Sequence, residues 1–150
     1  MCFRRTLVVI LVALAWAVVW SPVGVLAGII LDPGGSMDEM WVAIGAYPGF
    51  LCGAVFSAVV GVAEGRRGFS ELSLSRVAGW GAVSGLLVGV LPFVLGTVNP
   101  VLPLWLWGVL TAGAVTLLSS ASAVGTALIA RMAKKGAFRG ASGDAAHVRR

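Results

Sequence analysis

Charged residues divide this chain into long apolar blocks. None lies in the segments 6–31, 40–63 and 77–130. A charged side chain at the centre of a bilayer costs about 3 kcal/mol or more, so blocks of this length are typical of membrane-spanning sequence. One span needs about 20 apolar helical residues. The first two blocks therefore predict one transmembrane helix each, and the third is long enough for two.

The third block contains a natural break. Asn99-Pro100, followed by Pro103, favours a turn, because the residue before a proline is driven out of the helical conformation. We therefore predict an all-α integral membrane protein, a bundle of four transmembrane helices within residues 1–130. The predicted helices are 7–31, 40–63, 77–96 and 103–130. Glycine, alanine and serine separate the bases of 131–150, so we expect a disordered basic tail.

The basic residues indicate the orientation of the bundle. All 11 Lys and Arg residues fall on one side of the four predicted helices. The loop near residue 35, on the other side, has acidic residues and no basic one. Basic loops face the cytoplasm, which predicts that both termini are cytoplasmic in a multi-pass protein. This topology explains the high pI without nucleic-acid binding. The tail has the charge to contact anionic lipid as well.

The N-terminus has a second interpretation. Arg4 and Arg5, the apolar run after them and Val25-Leu26-Ala27 also fit a cleavable signal peptide. The apolar stretch continues to Leu31, which is long enough to span the bilayer. Retention as the first helix is therefore the preferred interpretation.

Small residues recur at four-residue intervals on two of the predicted helices, where they form one ridge per helix. Such ridges let helix backbones approach closely in lipid, where no hydrophobic force joins helices. We predict a contact between helices 2 and 3 through these ridges. The alternatives are a seam between copies of the chain and a pore lining. The residues are Gly45, Gly49, Gly53, Ser57 and Gly61 on helix 2, and Gly81, Gly85 and Gly89 on helix 3.

Helix 4 carries hydroxyl side chains on one face. They are Thr111, Ser119, Ser122 and Thr126. Hydroxyls in membrane helices usually bond a carbonyl of the preceding turn or a neighbouring helix, and a polar permeation stripe is the alternative. Trp16 and Trp20 lie deep in helix 1, where lipid-facing and packing roles are both open.

A weak internal repeat appears at an offset of 65 residues. The segment 23–26 recurs as 88–91, the segment 57–59 recurs as 122–124, and Arg66 matches Arg131. This pattern suggests that helices 1–2 and 3–4 are duplicated hairpins in parallel orientation.

The loop between helices 2 and 3 concentrates charge. We predict an ionic latch between these helices, in preference to a catalytic acid, from Glu64, Arg66, Arg67, Glu71 and Arg76. Ser73 and Ser75 are both candidates to cap helix 3.

The segment 66–76, which reads RRGFSELSLSR, and the Val-Ala-Gly-Trp-Gly-Ala run after it resemble a segment of small uncharacterised bacterial four-helix membrane proteins. The resemblance covers helix 2 through helix 3, less than half of the chain. It implies the bacterial inner membrane and no particular activity.

Catalytic and metal chemistry is not indicated. The chain has one histidine, His147 in the tail, and no ionisable group at membrane depth or Gly-x-Ser-x-Gly motif. Cys2 and Cys52 lie too far apart along the predicted bundle to pair. We expect no cofactor and a non-enzymatic structural or partner-binding role, with a homo-oligomer or a membrane-protein partner. The alternative is a small oligomeric channel or exporter for uncharged solutes.

Overall fold

Helices make up most of the described chain, and glycines with a left-handed backbone lie in the turns after two of them. The computed structural model describes residues 2–35, 38–64, 72–96 and 103–147, and over these residues the chain is all-helical. Gly96 takes a positive φ of 65° two residues beyond the end of the third helix, and Gly35 takes one of 67° in the turn that follows the first helix. Glycine adopts this left-handed conformation without steric cost, so it ends helices well. The four helices are α1 (Cys2–Leu31), α2 (Asp38–Ala63), α3 (Leu74–Val94) and α4 (Leu104–His147).

Each helix contains a stretch long and apolar enough to cross a membrane. These stretches are Thr6–Leu31, Met40–Ala63, Leu74–Val94 and Leu104–Lys134. The predicted four-helix, all-α architecture is therefore confirmed for the described residues, and its helices suit a multi-pass membrane protein.

Several predicted boundaries differ from those of the structure. Helix α1 begins at Cys2 rather than at 7, and α3 ends at Val94 rather than at 96. Helix α3 begins at Leu74 rather than at 77, because Ser73 caps it and Val77 N donates to Ser73 O at 3.1 Å. Helix α4 continues through His147, so the expected disorder after residue 130 is wrong for 131–147. That stretch lacks proline, and its alanine, lysine and arginine residues are good helix formers.

The helices pair as two hairpins. Helix α1 packs along α2 and α3 packs along α4, whereas α2 meets α3 over a smaller area. A Cβ atom added to Gly53 would lie 2.9 Å from Ala13 Cα on α1, and one added to Gly85 would lie 2.7 Å from Thr116 Cα on α4. The predicted contact between the glycine ridges of helices 2 and 3 is therefore wrong. Each ridge packs within its own hairpin.

The remaining ridge positions follow the same division. Gly45 and Gly49 face α1, and Gly81 and Gly89 face α4. Ser57 is buried and donates to Gly53 O at 2.8 Å, whereas none of the described residues lies within 4 Å of a Cβ added to Gly61. The close approach therefore ends before the last turn of α2.

The hairpin contacts do not follow the predicted repeat. Gly24 lies against Gly45, so an offset of 65 would place Gly89 against Leu110. Gly89 instead meets Ala112, with its added Cβ 2.8 Å from Ala112 Cα. The observed partner, Ala112, is two residues from the expected one, Leu110, and two residues correspond to about 200° around a helix. Helix α4 therefore packs on α3 through a different face from the one that the repeat predicts from α2.

Side chains from both hairpins form one core between them. Trp16 stacks on Phe56 with ring centroids 5.2 Å apart and planes inclined by 22°. Trp16 and Trp20 are both buried, which decides between the lipid-facing and packing roles left open by the sequence. The other buried residues of this core are Cys52, Val60, Leu72, Val77, Val88, Ala123 and Ala127.

Candidate functional site

One end of the bundle gathers the charged side chains, and we call it the basic end. Glu64 follows the last turn of α2, and its side chain is only 7% exposed. Arg76 Nε lies 3.6 Å from Glu64 Oε1, and Trp80 Nε1 donates to the same oxygen at 3.2 Å. One carboxylate thus joins α2 to two successive turns of α3. We call these three residues the Glu64 knot.

The start of α3 is fixed beside the Glu64 knot. Ser73 Oγ accepts a hydrogen bond from Arg76 N at 3.3 Å, as an N-cap residue does. The sequence left Ser73 and Ser75 as alternative caps, and Ser73 takes this position. The cap holds the Arg76 backbone where its side chain reaches Glu64.

Arg131 ties α4 to the same region. Its Nη2 donates to the carbonyl oxygen of Leu72, two residues before α3 begins. Its Nε is buried and has no hydrogen-bond partner among the residues that the structure describes. The predicted latch does not contain Arg131. The sequence does indicate that Arg131 lies at the basic end, because it is the first charged residue after the charge-free block 77–130.

The structure brings together two of the five predicted latch residues. Glu64 and Arg76 form an ion pair, and Arg76 is 55% exposed. Arg66, Arg67 and Glu71 lie outside the described residues. Exposed ion pairs contribute about 0–1 kcal/mol, so the partly buried Trp80 bond and the Ser73 cap strengthen a contact that is weak by itself.

A second polar contact joins the hairpins within the membrane-length part of the bundle. Trp16 Nε1 donates to Thr126 Oγ1 at 3.0 Å, and Trp20 Nε1 donates to Ser122 Oγ at 2.9 Å. These two bonds reach from α1 to α4, although the backbones of these helices barely approach each other. We call the four residues the tryptophan clasp.

Glycines make room for the clasp. The indole of Trp20 passes Gly49, where an added Cβ would lie 2.7 Å from Trp20 Cβ. The indole of Trp16 passes Gly53, where an added Cβ would lie 3.1 Å from Trp16 Cβ. Two members of the helix 2 ridge therefore let large side chains of α1 lie across α2 and reach α4.

The other hydroxyls of α4 are mostly bonded. Thr111 Oγ1 donates to Trp107 O at 2.7 Å, and Ser120 Oγ donates to Ala78 O on α3 at 2.9 Å. Ser119 Oγ is buried beside the Cys52 thiol. The hydroxyl face of helix 4 thus mainly serves packing within the described bundle.

An apolar cavity separates the hairpins towards the end opposite the basic end. Its volume is about 360 Å³. Tyr47, Pro48 and Leu51 line it from α2, and Pro92 and Trp107 line it from the other hairpin. The contact between hairpins is thus incomplete on this side, where two prolines lie within their helices.

Metal ligands are not clustered in the described part of the chain, where no group of three His, Cys, Asp or Glu side chains is placed to hold a metal ion. No family model matches this chain, and no curated protein or solved structure matches it.

Proposed function

We propose that this chain is a non-enzymatic multi-pass membrane protein with a structural or partner-binding role. The observation that carries the proposal is the use of its polar side chains. Glu64 is held by Arg76 and Trp80, and the clasp hydroxyls accept bonds from tryptophans. Reactive groups in an enzyme site converge on a space that a substrate can enter. Here these groups converge on other helices.

We place the partner surface at the basic end. The Glu64 knot and the Arg131–Leu72 bond fix both ends of the segment 65–71, which carries Arg66, Arg67 and Glu71. Fixed ends reduce the conformational entropy that a loop loses when it binds a partner. The charge distribution supports a cytoplasmic position for this end in the bacterial inner membrane. The helix α4 continues beyond its apolar stretch as residues 135–147, which we call the α4 extension. Its basic residues have the charge to contact anionic lipid there.

Affinity capture from native membranes tests the partner surface. Residues 66–71 are scrambled, while Glu64, Leu72 and Ser73 are kept because they hold α2, α3 and α4 together. We expect a membrane-protein partner to co-purify with the parent chain and to be lost from the scrambled variant. A variant with the α4 extension scrambled at 139–147 is the matched control and should retain the partner. An identical set of proteins with and without the scrambled loop would refute the role of the loop.

The alternative is a small oligomeric channel or exporter for uncharged solutes. The tryptophan clasp favours the first proposal, because Ser122 and Thr126 already accept indole bonds and do not line an open path. Flux of glycerol and urea into liposomes tests the alternative. We expect no flux above that of empty liposomes. Flux that Ser122→Leu abolishes would favour the channel instead.

A further inference from the structure

The contacts within the hairpins differ in kind from the contacts between them. Within each hairpin, helix backbones touch through glycines, as at Gly24 against Gly45 and at Gly85 against Thr116. Between the hairpins, α2 and α3 share a smaller surface, and α1 reaches α4 through the indoles of Trp16 and Trp20. The chain therefore consists of two closely packed halves joined along a weaker seam.

A membrane changes what holds such a seam closed. When apolar helix surfaces separate in lipid, acyl chains replace the lost contacts and no hydrophobic penalty arises. Hydrogen bonds and close backbone packing then decide which surfaces stay together. The hairpins have the close backbone packing, whereas the seam combines side-chain packing with a few polar bonds.

Those polar bonds are distributed unevenly along the seam. The Glu64 knot joins the hairpins at the basic end, and the tryptophan clasp joins them at intermediate depth. Towards the opposite end, the apolar cavity of about 360 Å³ lies between α2 and the α3–α4 hairpin. The knot has the position of a hinge and the clasp that of a catch, and the cavity lies where the two halves are in incomplete contact.

We propose that the tryptophan clasp is a conformational catch. While Trp16 and Trp20 bond Thr126 and Ser122, the hairpins stay closed. When the bonds are released, the hairpins pivot about the Glu64 knot as rigid bodies and separate at the end opposite the basic end. This inference does not depend on the proposed partner surface.

Distances between spin labels test the catch in the full chain reconstituted in lipid nanodiscs. Cys2→Ser removes the N-terminal thiol, and Cys52 is buried. Labels at Met40→Cys on α2 and Leu104→Cys on α4 report the gap between hairpins, since both positions are exposed. Labels at Met40→Cys and Ile30→Cys report the distance within the first hairpin.

Two double variants release the catch from opposite sides. Trp16→Phe with Trp20→Phe removes both donors and keeps aromatic rings, and Ser122→Ala with Thr126→Val removes both acceptors. We expect each to shift the Met40–Leu104 distances to longer values and to leave the Met40–Ile30 distances unchanged. Trp41→Phe is the matched control, because the Trp41 indole bonds Asp32 within the first hairpin, at 3.5 Å. It should change neither distance.

Two outcomes would overturn the proposal. One is an unchanged Met40–Leu104 distance in the acceptor variant, which decides the matter even where the tryptophan variant fails to fold. The other is an equal change in the Met40–Ile30 distance, which would show that the hairpins do not move as rigid bodies.

Discussion

Two glycines of this bundle have opposite surroundings, although both lie in membrane-length helices. A Cβ added to Gly24 would lie 2.6 Å from Gly45 N, whereas no atom in the described part of the chain lies within 4 Å of one added to Gly113. Backbone atoms cannot move aside as a flexible side chain can. The absence of a side chain at Gly24 therefore sets the distance between α1 and α2, while Gly113 has no such role.

Alanine substitution separates these cases. We expect Gly24→Ala and Gly85→Ala each to destabilise the fold by about 1–3 kcal/mol, the usual effect of overpacking. We expect Gly113→Ala to be neutral or to stabilise it by up to about 1 kcal/mol, since alanine favours helix. Unfolding in mixed detergent micelles measures the difference. Equal effects at Gly24 and Gly113 would contradict the glycine-packed hairpin.

At the scale of the helices, α4 differs most from its neighbours. Its apolar stretch ends at Lys134, but the helix continues to His147. The membrane-length part packs against α3, and residues 135–147 continue the same helix with Lys135 and Arg139. A helical extension holds its charges at a fixed spacing of about 1.5 Å per residue along its axis.

Hydrogen exchange tests the extension. We expect backbone amides of 131–140 to exchange more slowly than in a peptide of the same sequence, because helical hydrogen bonds protect them. Gly136→Pro should remove that protection around the substitution, since proline costs about 3 kcal/mol within a helix. Gly136→Ala is the matched control and should increase the protection. Peptide-like exchange throughout 135–147 in the parent chain would contradict a helical extension.

The sequence predicted the helices better than it predicted their partners. Charge-free blocks indicate which segments lie in lipid, and a glycine ridge indicates that another helix packs closely against it. Neither pattern identifies which helix that is. Gly49 and Gly53 show why, because the ridge accommodates indoles of α1 rather than the glycines of α3. The tryptophan clasp depends in turn on the angle at which the hairpins meet. That angle results from the packing of all four helices and is encoded in no single segment.

For the whole molecule, the separation of charge between the two ends carries a topological prediction. The turn after α1 contains Asp32 and no base, whereas Arg76, Arg131 and Lys134 lie at the basic end. Helices α1 and α2 are antiparallel neighbours, so the turn after α1 and the start of α3 fall on opposite sides of the apolar stretches. A basic cytoplasmic end then places residues 32–35 outside the cytoplasm.

Cysteine labelling in bacterial cells that express the chain tests this topology. Gly34→Cys and Ala133→Cys are made separately in the Cys2→Ser background, and no atom of the described residues lies within 4 Å of a Cβ added to Gly34. We expect a membrane-impermeant maleimide to label Gly34→Cys in cells whose outer membrane alone is permeabilised. Ala133→Cys should react only after the inner membrane is opened, because it lies at the basic end. The reverse labelling pattern would show that the bundle has the opposite orientation in the membrane. It would also place the segment 65–71 outside the cytoplasm, where the predicted partner surface would meet different proteins and no cytoplasmic-leaflet lipid.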